Sequence, residues 1–582
     1  MVNLRRPALM GLNLGLISCL VFLSLMLSVL ISPRTVRAAS SQAFLKVGLL
    51  QEPKTLNPFL ASSVWEKKVL ALIYMPLYIH DPKTLRLIPW LAEGPPQYSE
   101  DLTEVTVDLK PARWSDGTPF TAEDVAFTAN VIKDFNVPRH ISDWEQVKEI
   151  TVKSPKTIVF KLTGPMAFFE SRALTSLIVP KRRWEQVVAQ AKKTDNPLNV
   201  LTSYVNEMPV GIGPFKLKEW QRGGYVLMEK NKYFFAAGKT VDGIKIGPYV
   251  ENILFKIYGT NDAAVLAVKK GDIDFLYSGV HPGFIKDLKG TPGIKTFTNV
   301  KDGIYYLGFN LRKKPFSDPA FRQAVAYVID KAFLVERVLQ GYGRRLDTII
   351  PPANAALFDP NTEKYGLGMS HPDRIKKAVS ILEAAGYKWK VSPLTKDGAI
   401  QPGEGLILPD GTPMESSVLL CPPADYDASR AMTAMIVQEW LRNFGIPVVS
   451  RPVAQAAMMQ SVKTERNFDM FVFGWARLSF DGAYLDNFFN SASDRKNGSN
   501  YCGYRNPEFD QLAQKASSTI NFEARREILF QMQRMIIRDL PYIPLFAPDE
   551  SECVRDDRFT GWVNMPVGVG NTWTFMVLRP TK

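Results

Sequence analysis

The residue types that could carry out catalysis are present in the chain, but their spacing does not form a known catalytic motif. The four histidines, His80, His140, His281 and His371, are isolated from one another, so no metal-ligand cluster is visible. The sequence contains no Gly-x-Ser-x-Gly elbow, no His-Glu-x-x-His pair and no phosphate-binding Gly-x-x-x-x-Gly-Lys loop. Scattered carboxylates cannot be paired from sequence alone, so a glycosidase-like hydrolase stays open as an alternative. The pattern favours binding over catalysis.

One aromatic residue stands where it could contact a bound molecule. Trp475 ends an apolar strand pattern that begins at Phe468. An indole at a strand end can lie against the backbone or a ring of a ligand, and it can equally pack in the core. Both interpretations stay open from sequence.

The cysteines carry a further question. Cys421, Cys502 and Cys553 lie in the body of the chain, and the fourth, Cys19, lies in the N-terminal apolar run. Three cysteines permit one disulfide and one free thiol, and spacing does not decide the pairing.

The N-terminus has the organisation of an export signal. Arg5 and Arg6 precede an apolar run over residues 14–31, and Val36-Arg37-Ala38 offers small residues for cleavage before Ala39. The run is long enough to span a bilayer, so an uncleaved anchor is the competing interpretation. A lipobox around Cys19 and a twin-arginine signal at Arg5-Arg6 both match poorly. We therefore expect an exported protein that is periplasmic or held at the outer face of the cytoplasmic membrane.

The chain of 582 residues is long enough for two or three lobes, and its 46% hydrophobic and 22% charged content indicates a folded globular protein. Cleavage after residue 38 would remove four arginines and no acidic residue, which lowers the formal net charge from +13 to +9. A surplus of that size can indicate nucleic acid or an anionic surface as a partner. The basic residues are thinly spread, so we predict a solvated surface and no nucleic-acid partner.

A strand, a tight turn and a capped helix are predicted in the stretch Leu109–Asn130 and the residues just before it. Residues 105–109 alternate apolar and polar side chains, as a half-buried strand does. Gly117 suits the positive φ of the turn, and Thr121 with Asp124 has capping-box spacing.

Further elements are predicted along the chain. Residues 44–50 and 253–258 are predicted strands, residues 215–228 a hairpin, and the helix capped at Thr260 or Asn261 should end at Gly271. In the second half we expect one long helical stretch from Pro319 to Gly341, a surface loop over 391–415, a helix over 430–443, and an edge strand over 542–546 because of its prolines.

Several of these segments together resemble a known family. The strongest match is Trp114-Ser-Asp-Gly-Thr-Pro-Phe-Thr-Ala-Glu-Asp-Val125, and Ala320-Phe-Arg-Gln-Ala-Val-Ala-Tyr-Val-Ile-Asp-Lys331 is as strong. The glycine-hairpin phrase at 209–215 and the strand-helix-strand unit at 253–275 add to them. These phrases resemble extracellular solute-binding protein family 5, whose members serve peptide-type ABC importers. The resemblance spans about residues 44–550.

The resemblance implies an α/β fold with two lobes, in three domains with mixed sheets, and a ligand cleft between the lobes. The implied organisation, in chain order, is signal peptide 1–38, lobe I first segment 39–83, small inserted domain 84–206, lobe I second segment 207–300, lobe II 301–555 and C-terminal return to lobe I 556–582.

The resemblance also implies the function. We expect a receptor, not an enzyme, that captures a peptide or peptide-like solute and delivers it to the permease subunits of an ABC transporter, without a cofactor or metal and as a monomer. Related chains bind sugars, opines or nickel complexes, so a non-peptide solute stays open. A membrane-anchored basic protein that contacts anionic partners is a further alternative.

The same resemblance supplies the candidate site residues Trp475, Asp481, Arg477 and Asn57. In peptide-binding members an aspartate three residues after the Gly-Trp pair binds the peptide's α-ammonium, and Leu478 occupies that place here. Asp481 could replace the missing carboxylate, although a loop aspartate can also be merely solvated. Asn57 lies in a Leu-Asn-Pro phrase that resembles a loop at the mouth of the cleft, and a simple turn is its alternative.

Overall fold

The computed structural model of the protein describes residues 44–475 and 478–581. The predicted signal peptide and Arg477 lie outside the described residues. The strands are β1 Phe44–Leu49, β2 Tyr78–His80, β3 Leu87–Pro89, β4 Gln97–Tyr98, β5 Glu104–Asp108, β6 Val147–Ser154, β7 Thr157–Leu162, β8 Phe215–Gln221, β9 Tyr225–Lys230, β10 Thr240–Val241, β11 Ile244–Lys245, β12 Asn252–Ile257, β13 Phe275–Leu276, β14 Ile294–Val300, β15 Ile304–Phe309, β16 Gly343–Arg345, β17 Lys388–Val391, β18 Glu404–Ile407, β19 Ser417–Cys421, β20 Val448–Pro452, β21 Met470–Trp475, β22 Tyr542–Arg555, β23 Phe559–Thr560 and β24 Arg579–Pro580.

The helices alternate with these strands. They are α1 Val64–Ile73, α2 Ala122–Asp134, α3 Ile141–Trp144, α4 Phe169–Arg172, α5 Lys181–Ala191, α6 Pro197–Ser203, α7 Asn261–Lys270, α8 Pro282–Lys289, α9 Pro319–Val328, α10 Lys331–Arg337, α11 His371–Ala384, α12 Ala424–Asn443, α13 Gln455–Met459, α14 Tyr484–Phe489, α15 Pro507–Ser518, α16 Phe522–Asp539 and α17 Thr572–Val577. Short 3-10 turns cover Ala173–Thr175 and Ser491–Ser493, and a π-helical turn covers Gln460–Glu465. Among the residues just described, no helix has both the length and the apolar character needed to cross a membrane.

The largest sheet joins two lobes through one strand. Its order is β20-β19-β21-β15-β22-β13-β1-β12-β9-β8, and β14 and β16 also pair with β22. We call the side with β1, β8, β9, β12 and β13 the first lobe, and the side with β15, β19, β20 and β21 the second lobe. β1 runs parallel to β12 and β13, β19 runs parallel to β20 and β21, and the strands beside β22 are antiparallel to it. The predicted α/β class with mixed sheets is confirmed.

The prediction of an edge strand over 542–546 is wrong. These residues begin the 14-residue strand β22, which lies at the centre of the sheet. Pro544 is tolerated there because it faces Tyr306 beside a register shift, where the regular ladder of hydrogen bonds is already interrupted. Pro548, further along, still accepts a hydrogen bond of 2.9 Å through its carbonyl, from the Lys301 amide.

That hydrogen bond marks the hinge. The chain passes from β14 in contact with the first lobe to β15 of the second lobe through residues 301–303, and β22 makes the reverse passage around residues 547–549. The two crossings therefore lie side by side, and we call residues 301–303 and 547–549 together the hinge.

The predicted strand, turn and helix around residues 104–134 are confirmed. Gly117 has φ +89°, and Thr121 and Asp124 form the capping box of α2. The Asp124 carboxylate also accepts hydrogen bonds from the Trp114 indole at 3.2 Å and from the Lys181 amide at 2.8 Å. The segment is buried scaffold.

Three other predictions need correction. Residues 391–415 are not only loop, because β17 and β18 form a hairpin there. The helical stretch after Pro319 is two helices, since Asp330 breaks it and caps α10 by accepting from the Phe333 amide. Helix α12 begins at Ala424, six residues before the predicted start, and bends at Asp427.

A separate four-stranded sheet, ordered β4-β5-β7-β6, lies within the predicted inserted domain. The C-terminal segment packs on the first lobe, where the Trp573 indole donates to the His80 carbonyl at 2.9 Å. The six predicted domain boundaries themselves stay predictions.

The possible disulfide is not formed. Cys421, Cys502 and Cys553 are all buried free thiols in the described structure. Burial raises the pKa of the Cys553 thiol to about 12, so it stays protonated at neutral pH.

A candidate ligand cleft between the lobes

The larger of two neighbouring cavities lies beside the hinge and has a volume of about 720 Å³. Its apolar wall comes mainly from the first lobe and the C-terminal segment, and is rich in aromatic side chains: Trp65, Tyr74, Tyr78, Tyr277 and Trp573. Its charged wall consists of Lys67, Lys68, Lys301 and Glu550. Aromatic walls with a few charged groups are typical of small-molecule sites.

The smaller cavity, of about 290 Å³, is lined from both sides of the cleft. The first-lobe side supplies His80, Arg86, Glu170 and Ser171, and the second lobe supplies Asn354, Phe480, Asp481, Phe522 and Arg525. His80 lines both cavities, so the two are neighbours. Together they form what we call the cleft.

Lys68 contacts two aromatic rings and a carbonyl in the wall of the larger cavity. Its ammonium lies 3.9 Å from the ring centroid of Tyr277 and 5.2 Å from that of Trp65, and it donates a hydrogen bond to the Tyr277 carbonyl. Trp65 and Lys68 share one face of α1 because they are three residues apart. The cation–π contacts and the carbonyl help to fix the position of the ammonium.

A second carboxylate lies behind the wall. Glu552 is buried and accepts hydrogen bonds from the Val569 amide at 2.6 Å and the Gly570 amide at 3.1 Å. Burial, and then the negative charge of Glu550, raises the pKa of Glu552 to about 7, while Lys68 acts in the opposite direction.

Asp481 bridges the two sides of the smaller cavity. Its carboxylate accepts hydrogen bonds from the Ser171 hydroxyl at 2.5 Å, from the Ala483 amide at 3.0 Å and from the Ser479 hydroxyl. Burial lowers the pKa of His80, and the nearby Asp481 charge partly offsets that effect. Asp481 thus lines the smaller cavity with its oxygens already bound by protein groups, and its predicted role in ligand binding stays a prediction.

Trp475 lies in an aromatic cluster of the second lobe. Its ring stacks on Phe488 with centroids 4.8 Å apart and planes 15° apart, and Tyr501 lies nearly parallel at 6.1 Å. Trp475 is not among the described residues that line the two cavities. This geometry favours the core-packing interpretation.

Asn57 does not line the cleft either. Asn57 is fully buried, and its side chain donates to the carbonyls of Leu201 and Tyr204 and accepts from the Phe59 amide. Arg477 lies outside the described residues. Position 478 is where the resemblance implies an aspartate that binds the peptide's α-ammonium. Here it is Leu478, whose side chain is buried in the second-lobe core.

Sequence reasoning missed the residues of the larger cavity. Lys68, Tyr277, Lys301, Glu550 and Trp573 come from five separate parts of the chain, and only Trp65 with Lys68 shows a local signal, the shared helix face. Within the described part of the chain, no group of three His, Cys, Asp or Glu side chains could hold a metal ion.

Comparisons with known proteins agree with this architecture. The family profile described as "Bacterial extracellular solute-binding proteins, family 5 Middle" matches residues 86–497. The oligopeptide-binding protein AppA of Bacillus subtilis is 27% identical over 511 residues, which cover 87% of this chain and 86% of AppA.

Solved structures share the fold. The structure of Bacillus subtilis AppA in complex with a nonapeptide has a TM-score of 0.68 at 25% identity and covers 93% of this chain and 99% of that chain. The structure of NikZ from Campylobacter jejuni in complex with Ni(L-His) has the same TM-score at 23% identity, with 92% and 98% covered, a likeness that concerns the fold alone. The predicted two-lobed fold is confirmed, and the chain belongs to the bacterial extracellular solute-binding proteins of family 5.

Proposed function

We propose that the protein captures a peptide or peptide-like solute in the cleft and delivers it to the permease of an ABC importer. The observation that carries this proposal is the pair of neighbouring cavities, of which the larger lies beside the hinge and the smaller is walled by both lobes. A ligand there would contact the groups that come together when the lobes close, so binding favours closure.

The contacts between the lobes support such a mechanism. Besides the hydrogen bond from Ser171 to Asp481, the Ala167 amide donates to the Ser517 carbonyl at 2.7 Å and Arg86 pairs with Glu523 at 3.3 Å. These three contacts are polar, as is typical of an interface between domains that can open again. Closure would remove water from around the ligand and strengthen its polar contacts.

The finer parts of the proposal follow from the family. The protein acts by binding, without turnover, after export to the periplasm or the outer face of the membrane, and it works as a monomer beside its permease. A non-peptide solute is the second candidate, favoured by one observation: NikZ has the same fold and is complexed with Ni(L-His).

Thermal unfolding with a ligand panel tests the proposal. A ligand at a hundredfold excess over its Kd stabilises the native protein by about 2.7 kcal/mol, which raises the melting temperature measurably. We expect a rise with peptides and unchanged peptide masses after incubation. If the melting temperature rises only with sugars or metal chelates, the ligand belongs to that class and not to the peptides. Hydrolysis of a peptide during incubation would contradict the binding-only mechanism.

A further inference from the structure

Arg525 brings a guanidinium to the second-lobe wall of the smaller cavity. The side chain is half-buried, and its Nη1 donates hydrogen bonds to the carbonyls of Thr519 at 2.8 Å and Ile520 at 2.9 Å, between α15 and α16. A guanidinium has five N–H donors, so these two bonds leave the three on Nε and Nη2. Within the described part of the chain, no protein group accepts a hydrogen bond from these three. The edge formed by Nε and Nη2 can bind a carboxylate through two parallel hydrogen bonds.

The guanidinium is also fixed in place by aromatic rings from both sides of the cleft. Its central carbon lies 5.4 Å from the ring centroid of Phe168 and 5.8 Å from that of Phe522. Phe168 directly precedes α4 on the first-lobe side, and Phe522 begins α16 of the second lobe. The cation–π contacts and the two carbonyls restrict the side chain before any ligand arrives, which lowers the entropy lost on binding.

Two carboxylates lie near the guanidinium without forming an ion pair with it. Burial lowers the pKa of Arg525, and the charges of Asp481 and Glu170 partly offset that effect. Asp481 accepts three hydrogen bonds from other protein groups, and Glu170 accepts one from the Tyr98 hydroxyl at 3.0 Å. The guanidinium has therefore lost water on folding without gaining a carboxylate in direct contact. A ligand carboxylate would supply that contact through charge-assisted hydrogen bonds, which are stronger than neutral ones.

We propose that the smaller cavity is a pocket for a carboxylate of the solute, which the Nε and Nη2 donors of Arg525 bind. This inference rests on the proposed function and deepens it by naming one chemical group of the ligand. The smaller cavity, at about 290 Å³, takes one side chain or one chain end, while the rest of the solute lies in the larger cavity. The carboxylate can therefore come from an acidic side chain or from the C-terminus of a peptide.

Four libraries of tripeptides to pentapeptides separate these two sources. Each peptide contains either one glutamate or one glutamine among neutral residues, and ends in either a free acid or an amide. The purified protein is incubated with each library, and retained peptides are quantified by mass spectrometry. If the pocket takes a side chain, we expect glutamate peptides to be retained about tenfold better than glutamine peptides with either chain end. If it takes the C-terminus, free acids should be retained about tenfold better than amides.

Either preference supports the carboxylate pocket and identifies the group that fills it. Equal retention from all four libraries would overturn the inference but leave peptide binding intact. Retention of no peptide from any library would contradict the proposed function, and this inference with it.

Variants assign the preference to Arg525. The preference should fall to about threefold or less in Arg525→Gln and lie between that value and the native one in Arg525→Lys, because an ammonium keeps the charge but lacks the planar fork. Arg526→Gln is the matched control and should keep the native preference. Arg526 lies on the same helix, pairs with Glu523 and Glu527, and is not among the described residues that line the two cavities.

The ratio of acid to neutral peptide also separates ligand binding from a structural role. Loss of the hydrogen bonds to Thr519 and Ile520 would lower stability and affinity for all peptides alike, without changing that ratio. If Arg525→Gln does not fold, Arg525→Lys decides. A preference equal to that of the native protein in the folded Arg525 variants would refute the assignment.

Discussion

The Ser171 hydroxyl donates a hydrogen bond of 2.5 Å to the Asp481 carboxylate, and these two residues lie on opposite sides of the cleft. The bond connects helix α4 to the loop that follows β21. Asp481 is therefore placed to hold the lobes together, a role that the sequence did not indicate.

The first prediction concerns this bond. Hydrogen bonds to charged groups contribute about 1.5–3 kcal/mol, so Ser171→Ala should weaken ligand binding by about tenfold or more by disfavouring closure. Small-angle scattering should show a smaller radius of gyration with ligand than without, and a smaller change in the variant. The double variant with Asp481→Asn and Ser171→Ala should lose little more ligand affinity than either single variant. A loss equal to the sum of the two single losses would show that Asp481 acts on the ligand independently.

The second prediction concerns Trp475. Because its ring packs on Phe488, Trp475→Ala should lower the free energy of unfolding by about 2–4 kcal/mol, while Trp475→Phe should cost less. Urea unfolding measures both. Affinity measured well below the melting temperature should change little. A stable Trp475→Ala variant that has lost its ligand would instead establish a stacking role for the indole.

The third prediction concerns pH. The pKa of Glu552 is raised to about 7 in the folded protein by burial and by Glu550. The folded state therefore binds more protons than the unfolded state, and this group's contribution to stability falls as pH rises from about 4.3 to about 7, then stays constant. The total effect is on the order of 2–4 kcal/mol.

Glu552→Gln removes that titration while keeping an acceptor for the Val569 amide. Its free energy of unfolding should exceed that of the native protein at pH 8 and depend less on pH between 5 and 7, a window set by the raised pKa. Glu123→Gln, at an exposed carboxylate, serves as the control. Identical pH profiles for the native protein and Glu552→Gln would contradict the prediction.

The fourth prediction separates scaffold from site. Asp124→Ala leaves the Trp114 indole and the Lys181 amide without their acceptor, and should lower the free energy of unfolding by about 2–5 kcal/mol. Chemical unfolding measures the loss. Ligand affinity of the folded variant should be unchanged, since the segment lines neither cavity among the described residues.

Local chemistry made much of the fold predictable. The capping box of Thr121 with Asp124, the positive φ of Gly117 and the C-terminal glycine Gly271 of α7 each depend on residues close in sequence. The central position of β22 could not be predicted this way, because its prolines indicate an edge and only its partners in the fold show otherwise.

The site was less predictable than the fold. Asp481 was a candidate from sequence and lines the smaller cavity, but its partner Ser171 is 310 residues earlier in the chain, and nothing local links the two. The charged wall of the larger cavity could not be predicted for the same reason. Lys68 and Lys301 are far apart in sequence and line one cavity only in the folded protein.

Strand β22 has a consequence for how the protein unfolds. One continuous strand supplies hydrogen bonds to β15 in the second lobe and to β13 and β14 beside the first. Neither lobe can lose its sheet without exposing the other half of that strand, so the two lobes should melt together in one cooperative transition. A ligand that contacts only the wall beside the hinge would then protect amides from hydrogen exchange throughout both lobes.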